Sequence, residues 1–189
     1  MVKKDDHKGL LLLIQAGANV NETGDSGVTP VHSAAASNFK ECLTILMQAG
    51  ADIHKTDKDG SMPLHLAATN NASECVSLLI EAGADIHKTG PVGRTPLYCA
   101  AANKANECLT LLIQKGVDIH KAANNGNTPL HTAAKYNAIE CLRILIAAGA
   151  DPKKKNNDGK TPLELANDGD HSEAVDYLES HIGILSYHF

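Results

Sequence analysis

The sequence predicts an all-α solenoid of stacked helix-turn-helix units, which are joined by β-turn or hairpin loops. A Thr-Pro-Leu-His phrase, intact or altered, begins at residues 29, 62, 95, 128 and 161, so its copies lie 33 residues apart. An apolar stretch with helical spacing and a closing glycine follow each of the first four copies. A fixed period of this size is typical of repeat arrays, in which each unit buries its apolar face only by stacking on its neighbours.

Each unit is predicted to begin with a turn and a short helix. Within residues 57–88, Asp57 to Gly60 form a polar turn in which Gly60 can adopt a positive φ. Pro63 then marks the first turn of a helix, because proline has no N–H to lose at that position. Small alanine side chains on this helix allow a neighbouring helix to approach closely.

A second, Leu-rich helix is predicted to complete each unit. In the same stretch it begins at Ser73, after Asn71, which tolerates the left-handed conformation of a helix end. Apolar side chains from Cys75 to Ile80 form a stripe at helical spacing. Gly83 stands where such a helix ends.

The period divides one continuous domain into units whose ends differ from the middle. Only nine residues precede Leu10, so the first unit has a second helix without a first, and its apolar face should be partly uncovered. We therefore expect either a fragment of a longer array or a degenerate first unit. At the other end, carboxylates without Lys or Arg over residues 161–182 indicate a capping unit. The predicted segments are a partial repeat at 1–22, repeats at 23–55, 56–88, 89–121 and 122–154, a C-terminal capping repeat at 155–183, and a tail at 184–189.

Composition disfavours several classes of partner and predicts the compartment. A net charge of −5 argues against nucleic acid and anionic membranes, which select strongly basic faces. Cys42, Cys75, Cys108 and Cys141 are also 33 residues apart, and neighbouring helices at roughly 8–10 Å are too far apart for disulfides. Reduced thiols and the lack of a secretory or membrane segment predict an intracellular, cytoplasmic protein.

The same residues carry a family resemblance. Gly60 to Ala68 and Gly126 to Ala134 read Gly-x-x-Pro-Leu-His-x-Ala-Ala, and Gly-Ala-Asp follows three of the second helices. Over roughly residues 10–182 the chain resembles an ankyrin repeat protein. The resemblance implies a non-catalytic adaptor without a cofactor, which binds another protein through turn tips and inner short helices; we expect a monomer.

Departures from the family pattern bear on individual helix ends. The family usually has glycine between its two helices, and Lys104 is the substitute that suggests strain or a reshaped helix end, since Asn and Asp tolerate left-handed φ. Tyr98 and Glu164 replace the signature histidine, which puts its usual hydrogen bonding in doubt. All five substitutes for that glycine are Asn38, Asn71, Lys104, Asn137 and Asp170.

Histidines, cysteines and short motifs give no convincing site of chemistry. His54, His87 and His120 occupy equivalent positions about 10 Å apart, too far for one metal ion with bonds of about 2.0–2.1 Å. Their alternative is pH-sensitive binding, and the resemblance adds asparaginyl hydroxylation at this position, uncertain where His replaces Asn. The other candidates have bland readings: His32, His65 and His131 as hydrogen-bonding frame residues, Cys99 as a packing residue and not a reactive thiol, and turns at Gly24 to Gly27 and Gly159 to Thr161, which imitate a serine-protease segment and a phosphate loop.

Functional residues are expected where the repeats differ from one another, on turn tips and short-helix ends. Tyr136 is the leading anchor, and Arg94 with Lys135 would add charge complementarity, because aromatic and Arg side chains dominate binding hot spots. Two function classes remain, an independent protein-binding module and the recruiting segment of a larger enzyme or effector; a passive spacer is a weaker third. The predicted partner-binding residues are Lys58, Asp59, Ser61, Thr69, Asn70, Arg94, Asn103, Asn125, Asn127, Lys135 and Tyr136.

Overall fold

The computed structural model describes residues 6–184, which form α-helices and connecting turns without a β-strand. The first five residues and residues 185–189, which include most of the predicted tail, lie outside this range. Within residues 6–184 no helix is long and apolar enough to cross a membrane. The helices are α1 His7–Gln15, α2 Pro30–Ala36, α3 Lys40–Gln48, α4 Pro63–Thr69, α5 Ser73–Glu81, α6 Pro96–Ala102, α7 Asn106–Gln114, α8 Pro129–Lys135, α9 Ile139–Ala147, α10 Pro162–Asp168 and α11 Ser172–Ile184, with a 3-10 turn at Pro91–Gly93.

The recurring phrase starts each short helix, as predicted. Proline is the first residue of α2, α4, α6, α8 and α10, and a threonine hydroxyl caps four of them. Thr29, for example, accepts a hydrogen bond from the backbone N–H of His32. In α4 the preceding residue is Met62, which provides no side-chain cap.

Left-handed residues separate the two helices of each unit. Asn38, Asn71, Asn137 and Asp170 have φ between 51° and 55°, and Lys104 has φ of 58°. Lys104 therefore ends its helix in the same way as the asparagines do, and the alternative of a reshaped helix end is wrong. Local strain remains, since an L-residue with a long side chain disfavours this region.

The helices stack in two layers with one continuous core. Each short helix contacts the next short helix, each long helix contacts the next long helix, and the two helices of a unit pack together. Leu46, Leu79, Leu112, Leu145 and Leu178 are equivalent positions, all at most 2% exposed. This arrangement confirms the solenoid, and the cysteines are thiols as predicted.

The two ends of the solenoid differ in polarity. On α1, Leu11, Leu12 and Leu13 are 40%, 66% and 61% exposed, and a groove of about 920 Å³ lies between α1 and α2. The expectation of a partly uncovered apolar face is confirmed. At the other end, the acidic side chains of α10 and α11 are all exposed, as a capping surface requires.

Candidate functional site

The turn tips form a row held by backbone hydrogen bonds between neighbouring units. The N–H of Lys58 donates to the carbonyl of Ser26 at 2.9 Å, and the N–H of Asn124 donates to the carbonyl of Val92 at 3.0 Å. Asn157 donates to Asn125 at 3.2 Å in the same way. Pro91 occupies the equivalent donor position of the remaining junction and has no N–H to give. The row is therefore interrupted between residues 59 and 91.

Signature histidines fix these turns to the short helices. The backbone N–H of Thr128 donates to Nδ1 of His131, so the ring proton is on Nε2, which donates to the carbonyl of Lys160 at 3.1 Å. His32 makes the equivalent bond to the carbonyl of Ser61, and His65 to that of Arg94. The structural interpretation of these histidines is confirmed. Burial lowers the pKa of His65 and of His131, which keeps both rings neutral.

His65 differs from the other two because the threonine is missing before it. Nδ1 of His65 is buried and has no hydrogen-bond partner, whereas Nδ1 of His32 and of His131 lies 2.8 Å from a threonine hydroxyl. A buried acceptor without a partner costs free energy. The unit that begins at Met62 is thus less well capped than its neighbours.

The two units without the signature histidine keep part of its hydrogen bonding. Tyr98 still donates its backbone N–H to the hydroxyl of Thr95 at 3.2 Å. Glu164 accepts from the backbone N–H of Thr161 at 2.7 Å, which restores the closed turn, and this contact lowers the pKa of the Glu164 carboxyl. The helix start survives both substitutions.

Turn residues and short-helix ends lie on a common face. The ammonium group of Lys160, just before a Thr-Pro, hydrogen-bonds the carboxylate of Asp168 at the end of the following short helix. Equivalent positions in the other units must share this orientation. We call this surface, made of the turn tips, the residues just before each Pro-containing phrase and the exposed short-helix ends, the tip face.

Most of the predicted binding residues are accessible on the tip face. Ser61 and Thr69 are half-buried, and Thr69 donates its hydroxyl to the carbonyl of His65. The amides of Asn70 and Asn103 fold back on carbonyls of their own helices, which weakens both as anchors. The exposed members of the set are Lys58, Asp59, Asn70, Arg94, Asn103, Asn125, Lys135 and Tyr136.

Asn127 is placed differently from the others. It is 5% exposed, and its Oδ1 accepts a hydrogen bond from Nδ2 of Asn156 at 2.7 Å. Its backbone N–H donates to Oδ1 of Asn125. The side chain joins two adjacent tips and is not presented to a partner. We therefore remove Asn127 from the candidate contacts and assign it to the junction.

Two cations and two exposed apolar side chains concentrate in the units 89–121 and 122–154. The Arg94 guanidinium lies 5.5 Å from the ring centre of Tyr98, and the Lys135 ammonium lies 5.9 Å from that of Tyr136. Tyr136 is 47% exposed and Val92 is 58% exposed. These four side chains form the central patch of the tip face: Val92, Arg94, Lys135 and Tyr136.

Val92 was not found by sequence reasoning. It has φ of 50°, a conformation that a β-branched residue strongly disfavours. The available signal was the tip sequence Gly-Pro-Val-Gly, which lacks the polar residues of the other tips. It predicts an unusual turn but not which side chain the turn exposes.

The remaining candidates show no converging chemistry. Among residues 6–184 no three His, Cys, Asp or Glu side chains are placed to hold a metal ion, and the backbone N–H of His54, His87 and His120 each bonds a nearby aspartate. Burial raises the pKa of the Cys99 thiol, which Arg94 only partly offsets. A raised pKa disfavours the reactive thiolate and favours Cys99 as a packing residue.

Comparison with known families covers nearly the whole chain. A family model described as ankyrin repeats (3 copies) matches residues 1–90, 38–123 and 97–185. No curated protein matches the chain.

Proposed function

The chain belongs to the ankyrin repeat family, whose members generally act as protein–protein interaction modules, and we propose that it is a non-catalytic module that binds a partner protein through the tip face. The observation that carries this proposal is the central patch. Its four exposed side chains sit on a frame whose other residues are committed to capping, stacking and burial. Exposed aromatic and Arg side chains are the residue types that dominate binding energy in protein interfaces.

The uneven composition of the tip face supports this proposal. A frame selected only as a spacer needs no exposed Val92 in a strained conformation, and no exposed aromatic at Tyr136. Lys58 and Asp59 on the preceding tip would form a polar rim, together with Asn125 on the following one.

We also propose an intracellular monomer that does not bind nucleic acid or membranes. Cysteine thiols, four of them buried in the core, fit a reducing compartment. The acidic end formed by α10 and α11 would repel a second copy of itself, and a net charge of −5 opposes binding to polyanions. Sedimentation equilibrium should give the mass of one chain, and a concentration-dependent mass would exclude the monomer.

The binding proposal is tested with a partner captured from lysate, purified and titrated against defined variants. Arg94→Ala combined with Tyr136→Ala should weaken affinity at least roughly tenfold, because each truncated hot-spot residue typically costs more than a factor of five. The melting curve should stay nearly unchanged, since both side chains are exposed. Lys121→Ala is the matched control, an exposed cation outside the tip face. Equal affinity of the double variant and the native chain would exclude the tip face.

A further inference from the structure

The central patch carries two cations that have no internal counter-charge. Three ion pairs occur in residues 6–184, and they join Lys40 to Glu74, Arg143 to Glu140, and Lys160 to Asp168. Arg94 and Lys135 take part in none of them.

The last unit shows what the frame does when it neutralises these same positions. Lys160 corresponds to Arg94, and Asp168 corresponds to Lys135, each 66 or 33 residues further along the chain. There the cation and the carboxylate bind each other directly. In the two units before it, the carboxylate is absent, and both side chains are instead held over aromatic rings. Ring contacts restrain a cation and leave its outward N–H donors open to a ligand.

Neighbouring charges do not offset the patch. Lys58 and Asp59 on the preceding tip carry opposite charges, and Asn124 and Asn125 on the following tip are neutral. The nearest acidic side chain toward the C-terminal end, Asp168, is already bound to Lys160. The patch is therefore locally positive on a protein of net charge −5.

The repeat geometry sets the separation of the two cations. Arg94 stands just before α6, and Lys135 ends α8 in the next unit. Eight residues of helical rise give about 12 Å, and a helix spacing of 8–10 Å gives about 15 Å along the diagonal. An extended chain covers about 14 Å in four residues.

From these observations we propose that the partner segment is acidic and extended, with carboxylates four residues apart that pair with Arg94 and Lys135 and an apolar side chain between them that contacts Val92 and Tyr136. The inference rests on the proposed binding function and specifies its partner. Arg94 can accept a carboxylate in bidentate geometry, whereas Lys135 binds it as a point charge.

Synthetic peptides test the spacing and the charge separately. The probe is Gly-Ser-Glu-Ser-Leu-Ser-Glu-Ser-Gly, with its glutamates four positions apart; one control has Gln in place of both Glu, and a second has the glutamates two positions apart. The first peptide should bind roughly tenfold more tightly than the Gln control at low salt, since two exposed charge pairs contribute roughly threefold each. It should also bind more tightly than the short-spaced control, and the difference from the Gln control should shrink as salt is raised.

Variants of the protein assign the two contacts. Arg94→Gln and Lys135→Gln should each weaken the Glu peptide by roughly threefold and leave the Gln peptide unchanged. Lys58→Gln, an exposed cation beside Asp59, is the matched control and should change affinity by less than about twofold.

Several outcomes would overturn the acidic partner. These are equal binding of the Glu and Gln peptides, no binding of either peptide up to about 1 mM, an effect of Lys58→Gln equal to that of Arg94→Gln, or stronger competition by a single-stranded oligonucleotide than by the Glu peptide. If the captured protein still depends on Tyr136 while the peptides fail, the binding function stands and only the acidic chemistry is wrong. If both fail, the tip face is not the site.

Discussion

Met62→Thr should stabilise the protein, although it replaces a buried apolar side chain with a smaller polar one. Met62 is 6% exposed and precedes α4, the short helix that has no side-chain cap and whose His65 has an unpartnered Nδ1. Threonine at this position should do what Thr128 does for His131, accepting from the backbone N–H and lying 2.8 Å from the ring nitrogen. One substitution thus supplies two missing interactions.

The expected gain follows from three contributions. A threonine N-cap contributes about 1 kcal/mol, and a partner for a buried acceptor contributes about 1–2 kcal/mol. Loss of about two buried methylene-sized groups of methionine costs about 1.5 kcal/mol. The free energy of unfolding should therefore rise by about 1 kcal/mol.

Met62→Val provides the matched control, because valine has the shape of threonine without its hydroxyl. It loses the same methionine atoms and should lower the free energy of unfolding by about 1.5 kcal/mol. Urea denaturation followed by circular dichroism gives the free energy of unfolding of each variant, with equal slopes required for the comparison. Equal stability of the Thr and Val variants would refute the reasoning, since the hydroxyl would then contribute nothing.

Three further predictions concern other parts of the frame. Lys104→Gly should raise the free energy of unfolding by about 0.5–1 kcal/mol because it relieves a left-handed lysine, whereas Lys115→Gly, at φ of −82°, should lower it; urea titrations that rank the two variants the other way would contradict this. Since the pKa of His131 is lowered in the folded state, the unfolded chain binds the proton more readily, so stability should be complete above pH 6.5 and fall as the pH decreases below it. His131→Gln should flatten that decrease in denaturation series across this range, and an unaltered slope would argue against it. On the exposed end, Leu12→Glu should change stability by less than about 0.5 kcal/mol, whereas Leu145→Ala in the core should cost about 2–5 kcal/mol, and similar losses in calorimetry would contradict the assigned burial.

Features that depend on local chain chemistry were predictable from the sequence. Pro63 begins a helix because its fixed φ suits the first turn, and Gly83 ends one because it takes φ of 93° without a Cβ clash. The 33-residue period then extends such local signals to the whole chain, including the uncovered face of α1.

Features that depend on the neighbouring unit were not predictable in the same way. Asn127 looked like a variable surface residue, but Asn156 from the next tip buries it. Val92 is turned outward in a tip whose carbonyl accepts from Asn124. In both cases the side chain's position is decided by a contact 29 or 32 residues away, which no local pattern encodes.

Hydrogen–deuterium exchange of the protein, alone and with its captured partner, tests most directly the claim that the tip face is the binding surface. The predicted result is slower exchange of amides in the tips and short helices of residues 89–136, with the long helices α7 and α9 unchanged. Protection confined to α7 and α9, or to the exposed leucines of α1, would contradict the account and move the binding surface to the opposite layer or to the open end.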